Sequence, residues 1–171
     1  MRNVRTEVAP RLLNPTSTAA VVLGAHDWSE AGLGRAPSFL RSARSIVRYL
    51  YESSGLGLDP ELVLDLFDDT AGAGEQLARL RDTLDMQLRD RREGGRPVTD
   101  ILVYYIGHGY TDDQGQLCLL VRRTRQRLPW AVHSPYSALA PGNTPRRDGY
   151  VLKSALGMGG FNSAVVFAPI G

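Results

Sequence analysis

A histidine set between two glycines, just past the most apolar run in the chain, is the first place where this sequence offers chemistry. His108 follows residues 100–106 (DILVYYI) and is flanked by Gly107 and Gly109. Imidazole changes charge near neutral pH and acts as a general base. Glycine on both sides lets the backbone turn sharply and leaves the ring unobstructed. It also lets the Gly109 N–H approach a substrate oxygen, as an oxyanion donor must. Two side chains are candidates for a nucleophile. Cys118, the single cysteine, lies inside the apolar run LCLLV, where a cysteine is normally a small buried hydrophobe rather than a thiolate. Ser154 follows YVLK further along, and a serine hydroxyl attacks only beside a well-aligned base.

Other chemistries find little support. One cysteine excludes an internal disulfide framework and a cysteine-rich zinc site, and the three histidines (His26, His108, His133) are scattered, so neither metal nor cofactor is expected. The glycine-dense stretch 157–160 (GMGG) lacks the Lys-Ser/Thr of a phosphate-binding loop and does not join a strand to a helix.

The elements that must position His108 read as β-α-β-α-β. Residues 18–24 (TAAVVLG) form a buried strand, and 26–37 a loop broken by glycine and proline. A helix follows from Ser38 as N-cap to about residue 53. Phe39, Leu40, Ala43, Ile46, Val47 and Leu50 lie on one face of it, Arg41, Arg44 and Arg48 on the other, and Gly55 and Gly57 stop it. Residues 62–67 (LVLDLF) make a second strand, and 75–92 a second helix with Leu77, Leu80, Leu84 and Leu88 inward, ended by Gly94, Gly95 and Pro97. The third strand, 100–106, is continuously apolar and is expected to be buried on both faces. Helical crossovers between apolar strands imply a parallel sheet flanked by helices, with ligands at the carboxyl ends of the strands. Beyond Ile106, residues 112–115 read as a turn and 117–121 as a further strand, paired as a hairpin or standing as a small projection. Residues 134–140 are compatible with a short helix, 141–149 are turn-rich, and 150–152 and 164–168 are apolar runs around the glycine-dense loop.

The stretch DILVYYIGHGYTDDQGQLCLL resembles the histidine segment of the caspase-like cysteine peptidases, in which an apolar strand runs into a Gly-His-Gly turn, an Asp/Gly-rich loop and another strand. VVLGAHDW resembles that family's first strand and loop, and the elements between follow in the family's order. The resemblance covers about residues 18–125. It implies a three-layer α/β sandwich with a mainly parallel central sheet, endopeptidase activity on peptide or protein substrates, His108 as catalytic base and Gly109 as oxyanion donor. The family's nucleophilic cysteine belongs at the end of the next core strand, where this chain has Ser154, so the resemblance implies a truncated or catalytically degenerate peptidase. The alternative is a non-catalytic binding or regulatory module on the same scaffold. A second, local resemblance joins LKSALGMGGFNSAVVF to the last segment of β-ketoacyl synthases through Gly157, Gly159, Gly160 and Asn162, which makes a synthase-related fragment a third reading.

Length and charge bound these readings. The 171 residues make one ordinary domain, divided as an N-terminal arm (1–17), an α/β core (18–125) and a basic, glycine-rich segment (126–171). All basic residues but Lys153 are arginines, and they segregate: residues 1–121 hold 13 basic and 17 acidic side chains, whereas 122–171 hold seven basic and one acidic, Asp148. An anionic partner would suit that arginine cluster, but the stretch lacks interleaved aromatics for stacking bases, which argues against nucleic acid. Asp112 and Asp113 would favour a basic substrate residue; Arg122, Arg123 and Arg125 an acidic one. No apolar run is long enough to span a bilayer and the first residues carry no apolar signal core, so a cytoplasmic protein without membrane partners is expected, with a homo-oligomer left open.

Overall fold

The computed structural model describes residues 13–111, 117–125, 151–156 and 162–167. The chain falls into two units, Met1–Ser137 and Ala138–Gly171.

The first unit is mixed α/β and is built on a three-stranded parallel sheet. Strand β1 (Thr18–Gly24) is central, between β4 (Val63–Asp65) and β5 (Asp100–Ile106). β1 pairs with β5 from Thr18↔Asp100 to Gly24↔Ile106, and with β4 from Ala20↔Val63 to Val22↔Asp65. The three segments expected to form the sheet do so in parallel.

β1 is buried at every position, as a central strand covered on both faces must be. On one face Ala20 and Val22 join Leu50 and Leu58, with Ile46 and Val47 of helix α1 (Pro37–Tyr51) and Leu102, Tyr104 and Ile106 of β5 packed around them. Each fully buried aliphatic side chain there contributes roughly 1.5–3 kcal/mol.

β5 departs from expectation. Its continuous apolarity predicts burial on both faces, yet Ile101 is 43% and Val103 51% exposed. Only the Leu102–Tyr104–Ile106 face meets α1, and an apolar run alone cannot tell a central strand from one with a single covered face.

Boundaries also shift for local reasons. α1 starts one residue early, with Pro37 in its first turn and Ala36 as N-cap; Ser38 therefore lies inside the helix and does not cap it. β4 is shorter than 62–67. Leu62 belongs to a 3₁₀ turn (Pro60–Leu62) capped by the Asp59 carboxylate, which accepts the Glu61 N–H at 3.1 Å. At the other end the Asp65 carboxylate accepts the Phe67 N–H at 3.0 Å, while the Leu66 N–H still donates to the Val22 carbonyl of β1 at 2.8 Å. Helix α2 (Ala73–Glu93) buries Leu80, half-buries Leu77, Leu84 and Leu88, and is tied back by Arg79–Asp69 (2.7 Å) and the buried Arg91 on Asp59 (2.5 Å).

The expected loop 26–37 contains structure of its own. Strands β2 (Asp27–Trp28) and β3 (Gly34–Arg35) pair antiparallel around a 3₁₀ turn (Ser29–Ala31). After β5 comes the expected hairpin, β6 (Gly109–Thr111) against β7 (Leu117–Leu119).

The second unit contains an antiparallel hairpin, β8 (Val151–Leu156) and β9 (Asn162–Phe167), paired from Val151↔Phe167 to Leu156↔Asn162. The predicted helix at 134–140, the turn-rich 141–149 and the Asp112–Asp113 turn lie outside the described residues.

Candidate functional site at the carboxyl edge of the sheet

Each parallel strand delivers a polar side chain just past its carboxyl end: His26 after β1, Asp68 after β4, His108 after β5. In open α/β sheets this edge is where loops diverge and ligands bind.

His108 leaves β5 through Gly107, where a side chain has no room: a Cβ there would lie 2.7 Å from the Tyr105 hydroxyl and 3.1 Å from Trp28 Cζ2. The Tyr105 hydroxyl donates to the Leu120 carbonyl at 2.8 Å and lies against that of His108, pinning the turn from below. The imidazole is walled by aromatics. Its centroid is 4.6 Å from that of Trp28 and 5.1 Å from that of Phe39, which meets it edge-on. Trp28 and Phe39 pack edge to face at 5.7 Å.

The β2–β3 ribbon explains why Trp28 points inward. The Asp27 carboxylate, on the opposite side of the strand, accepts Ser29 N–H (3.0 Å), Ser29 O–H (2.5 Å) and Arg35 Nε–H (2.9 Å). Those bonds, the Ser29 hydroxyl first, hold the Asp27 carboxyl down at about 2. Trp28 is fully buried with Ala25, Ala31 and Leu120. Among the described residues its Nε1 is the one buried side-chain nitrogen or oxygen without a hydrogen-bond partner. His108 is half-buried, and its ring has no hydrogen-bond partner among the described residues.

Gly109 is exposed and begins β6. The His108 carbonyl accepts the Leu120 N–H at 3.0 Å, which makes Gly109↔Leu119 a non-hydrogen-bonded pair and turns the Gly109 N–H away from β7. An N–H donor not used by the hairpin is what oxyanion stabilisation requires.

The candidate nucleophiles are placed differently. Cys118 is 2% exposed in the middle of β7, opposite Tyr110, as a buried strand cysteine is expected to be. Ser154 lies in the second unit, paired with Ala164. β8 continues past it to Leu156, so Ser154 is interior to a strand rather than at its end, as the run YVLK suggested. The loop 157–160 lies outside the described residues, although the strands on either side of it form one hairpin. Compared with known proteins, the chain matches no family model, no curated protein and no solved structure.

A pair that sequence reading passed over completes the edge. The His26 Nδ1 hydrogen-bonds Asp68 Oδ2, and the His26 backbone N–H donates to Asp68 Oδ1 at 2.8 Å. Asp68 adopts φ +59, the left-handed region that aspartate tolerates better than most residues, and its N–H donates to the Gly24 carbonyl at 3.0 Å. Phe67 stacks on the His26 ring at 6.4 Å. The available signal was positional: His26 and Asp68 follow the ends of neighbouring parallel strands.

Beside Trp28, an open cavity of about 160 Å³ is lined by Asp27, Ser29, Glu30, Arg35 and Arg122. That is below the roughly 300–1,000 Å³ of small-molecule sites. Of the basic flank, Arg125 is bound to Glu30 at 2.8 Å. Among the described residues no cluster of three or more His, Cys, Asp or Glu could hold a metal ion, and no helix is long and apolar enough to cross a membrane.

Proposed function

We propose that the chain is a caspase-like endopeptidase scaffold in catalytically degenerate form, which holds a peptide at the carboxyl edge of its sheet without cleaving it. The observation that carries this reading is the pairing, on one turn, of a half-buried, aromatic-walled His108 imidazole with a Gly109 N–H directed away from its hairpin. Such a turn can grip a peptide carbonyl through Gly109 and pack the adjoining backbone on the Trp28–Phe39–His108 aromatic wall. Hydrolysis would need a nucleophile beside His108, and the single thiol is buried in β7. The three-layer sandwich of the caspase-like fold is part of this proposal; the β4-β1-β5 order and the hairpin after β5 support it.

A purely regulatory module on the same scaffold is the second reading, favoured by the aromatic packing of His108, which suits an immobilised ring better than a proton shuttle. Fluorogenic peptides with Asp, Arg or Lys before the scissile bond test the main proposal. The unmodified chain should bind them without releasing the fluorophore. Turnover that vanishes in His108→Ala would show an intact peptidase instead.

A further inference from the structure

His26 has the arrangement of an oriented base that His108 lacks. Its Nδ1 is committed to the Asp68 carboxylate, which is itself held by the His26 backbone N–H, and Phe67 stacks on the ring. That bond places the proton on Nδ1 and leaves the Nε2 lone pair available. Nε2 has no partner among the described residues and is not a buried polar atom, and the side chain is 21% exposed, so the lone pair faces solvent. A carboxylate behind a histidine also stabilises the imidazolium that forms when Nε2 attacks.

We infer that His26 and Asp68 form a nucleophilic dyad that accepts acyl groups from carboxylic esters, independently of the peptide-binding turn at His108. In the first step His26 Nε2 attacks the acyl carbon, the N–C bond forms, and the C–O bond to the leaving alcohol breaks with its electron pair going to the departing oxygen. The positive charge on the ring is relieved as the Nδ1 proton shifts toward Asp68 and is released. Water then adds to the acyl carbon, the N–C bond breaks, the carboxylic acid leaves, and a water proton restores Nδ1–H.

The probe is p-nitrophenyl acetate with the full chain at neutral pH. The expected result is p-nitrophenolate release at least about tenfold faster than from an equal concentration of a blocked histidine, with a transient acetyl adduct on the peptide containing His26. His26→Gln should remove the excess rate, whereas His133→Gln should leave it within about twofold. Asp68→Asn should lower the rate while leaving the adduct on His26. Should that variant not fold, His26→Gln, a partly exposed isosteric change, still decides the matter. A rate no greater than that of the blocked histidine, a rate unchanged in His26→Gln, or an adduct on another residue would overturn the dyad.

Discussion

Replacing Gly24 with alanine should damage both imidazole environments at once, because Gly24 is the junction between them. Its residue pairs with Ile106, two positions before His108, and its carbonyl accepts the Asp68 N–H. Gly24 has φ +118, which side-chain-bearing residues rarely adopt, and a Cβ there would lie 1.9 Å from the Ile106 carbonyl oxygen. The backbone term costs about 1–3 kcal/mol. Relieving the overlap must separate β1 from β5 and break the Ala25 N–H to Ile106 bond (3.2 Å), for about 1 kcal/mol more. The total comes to about 2–4 kcal/mol, a large part of the roughly 5–15 kcal/mol that holds a domain folded. Gly34→Ala is the internal control. Gly34 has φ +72 with nothing within 4 Å of the added carbon, so only the backbone term applies, about 1 kcal/mol. With a urea slope of about 2 kcal/mol/M, the midpoint should fall by about 1–2 M for Gly24→Ala and about 0.5 M for Gly34→Ala. Imidazole proton resonances of His26 and His108 should both move in the first variant and stay in the second. Equal losses in the two variants, or unmoved histidine signals in Gly24→Ala, would refute this account of the edge.

Asp27 titrates at about 2 when folded against an ordinary 3.8, so its contribution is fully present above about pH 4 and is lost as pH falls toward 2. Asp59 and Asp69, lowered by their hydrogen bonds from Arg91 and Arg79, act in the same direction, and urea midpoints between pH 5 and 2 should show a steep acid limb that flattens in Asp27→Asn. Cys118 should react with a maleimide far more slowly in the folded chain than in urea; fast folded-state labelling suppressed by His108→Ala would mark an activated thiol. Leu23→Ala, at a fully buried position in β1, should cost about 2–5 kcal/mol, whereas Val103→Ala, at the exposed face of β5, should stay within about 1 kcal/mol by the same unfolding measurement.

Much of this edge can be read from the chain before any coordinates. The succession of strands and helices along the chain, the parallel pairing and the break at Gly107–His108–Gly109 all follow from apolar runs of strand length alternating with 3.6-residue periodicity, because those patterns decide which surface is hidden from water. What stays hidden is whatever depends on distance in space. β1 and β5 have equally apolar sequences, and only their positions in the sheet separate complete burial from the exposure of Ile101 and Val103. The His26–Asp68 bond joins residues 42 apart whose common feature is standing past neighbouring strand ends. Trp28 and Phe39 become the walls of His108 through a two-residue ribbon stapled by Asp27 and Arg35, too short to leave a periodic signal. Ser154 illustrates the opposite limit: YVLK looks like a strand ending, yet the ladder runs two residues further, to Leu156↔Asn162.

Whether the His108 turn holds peptide without cutting it is settled by amide resonance mapping. Peptides bearing Asp, Arg or Lys are titrated into the isotope-labelled chain while their integrity is followed by mass spectrometry. The Gly109 amide and the His108 and Trp28 ring signals should move saturably, that movement should be lost in Gly109→Pro, which removes the donor, and the peptide should stay intact throughout. A Gly109 amide that ignores every peptide, or cleavage that depends on His108, would contradict it.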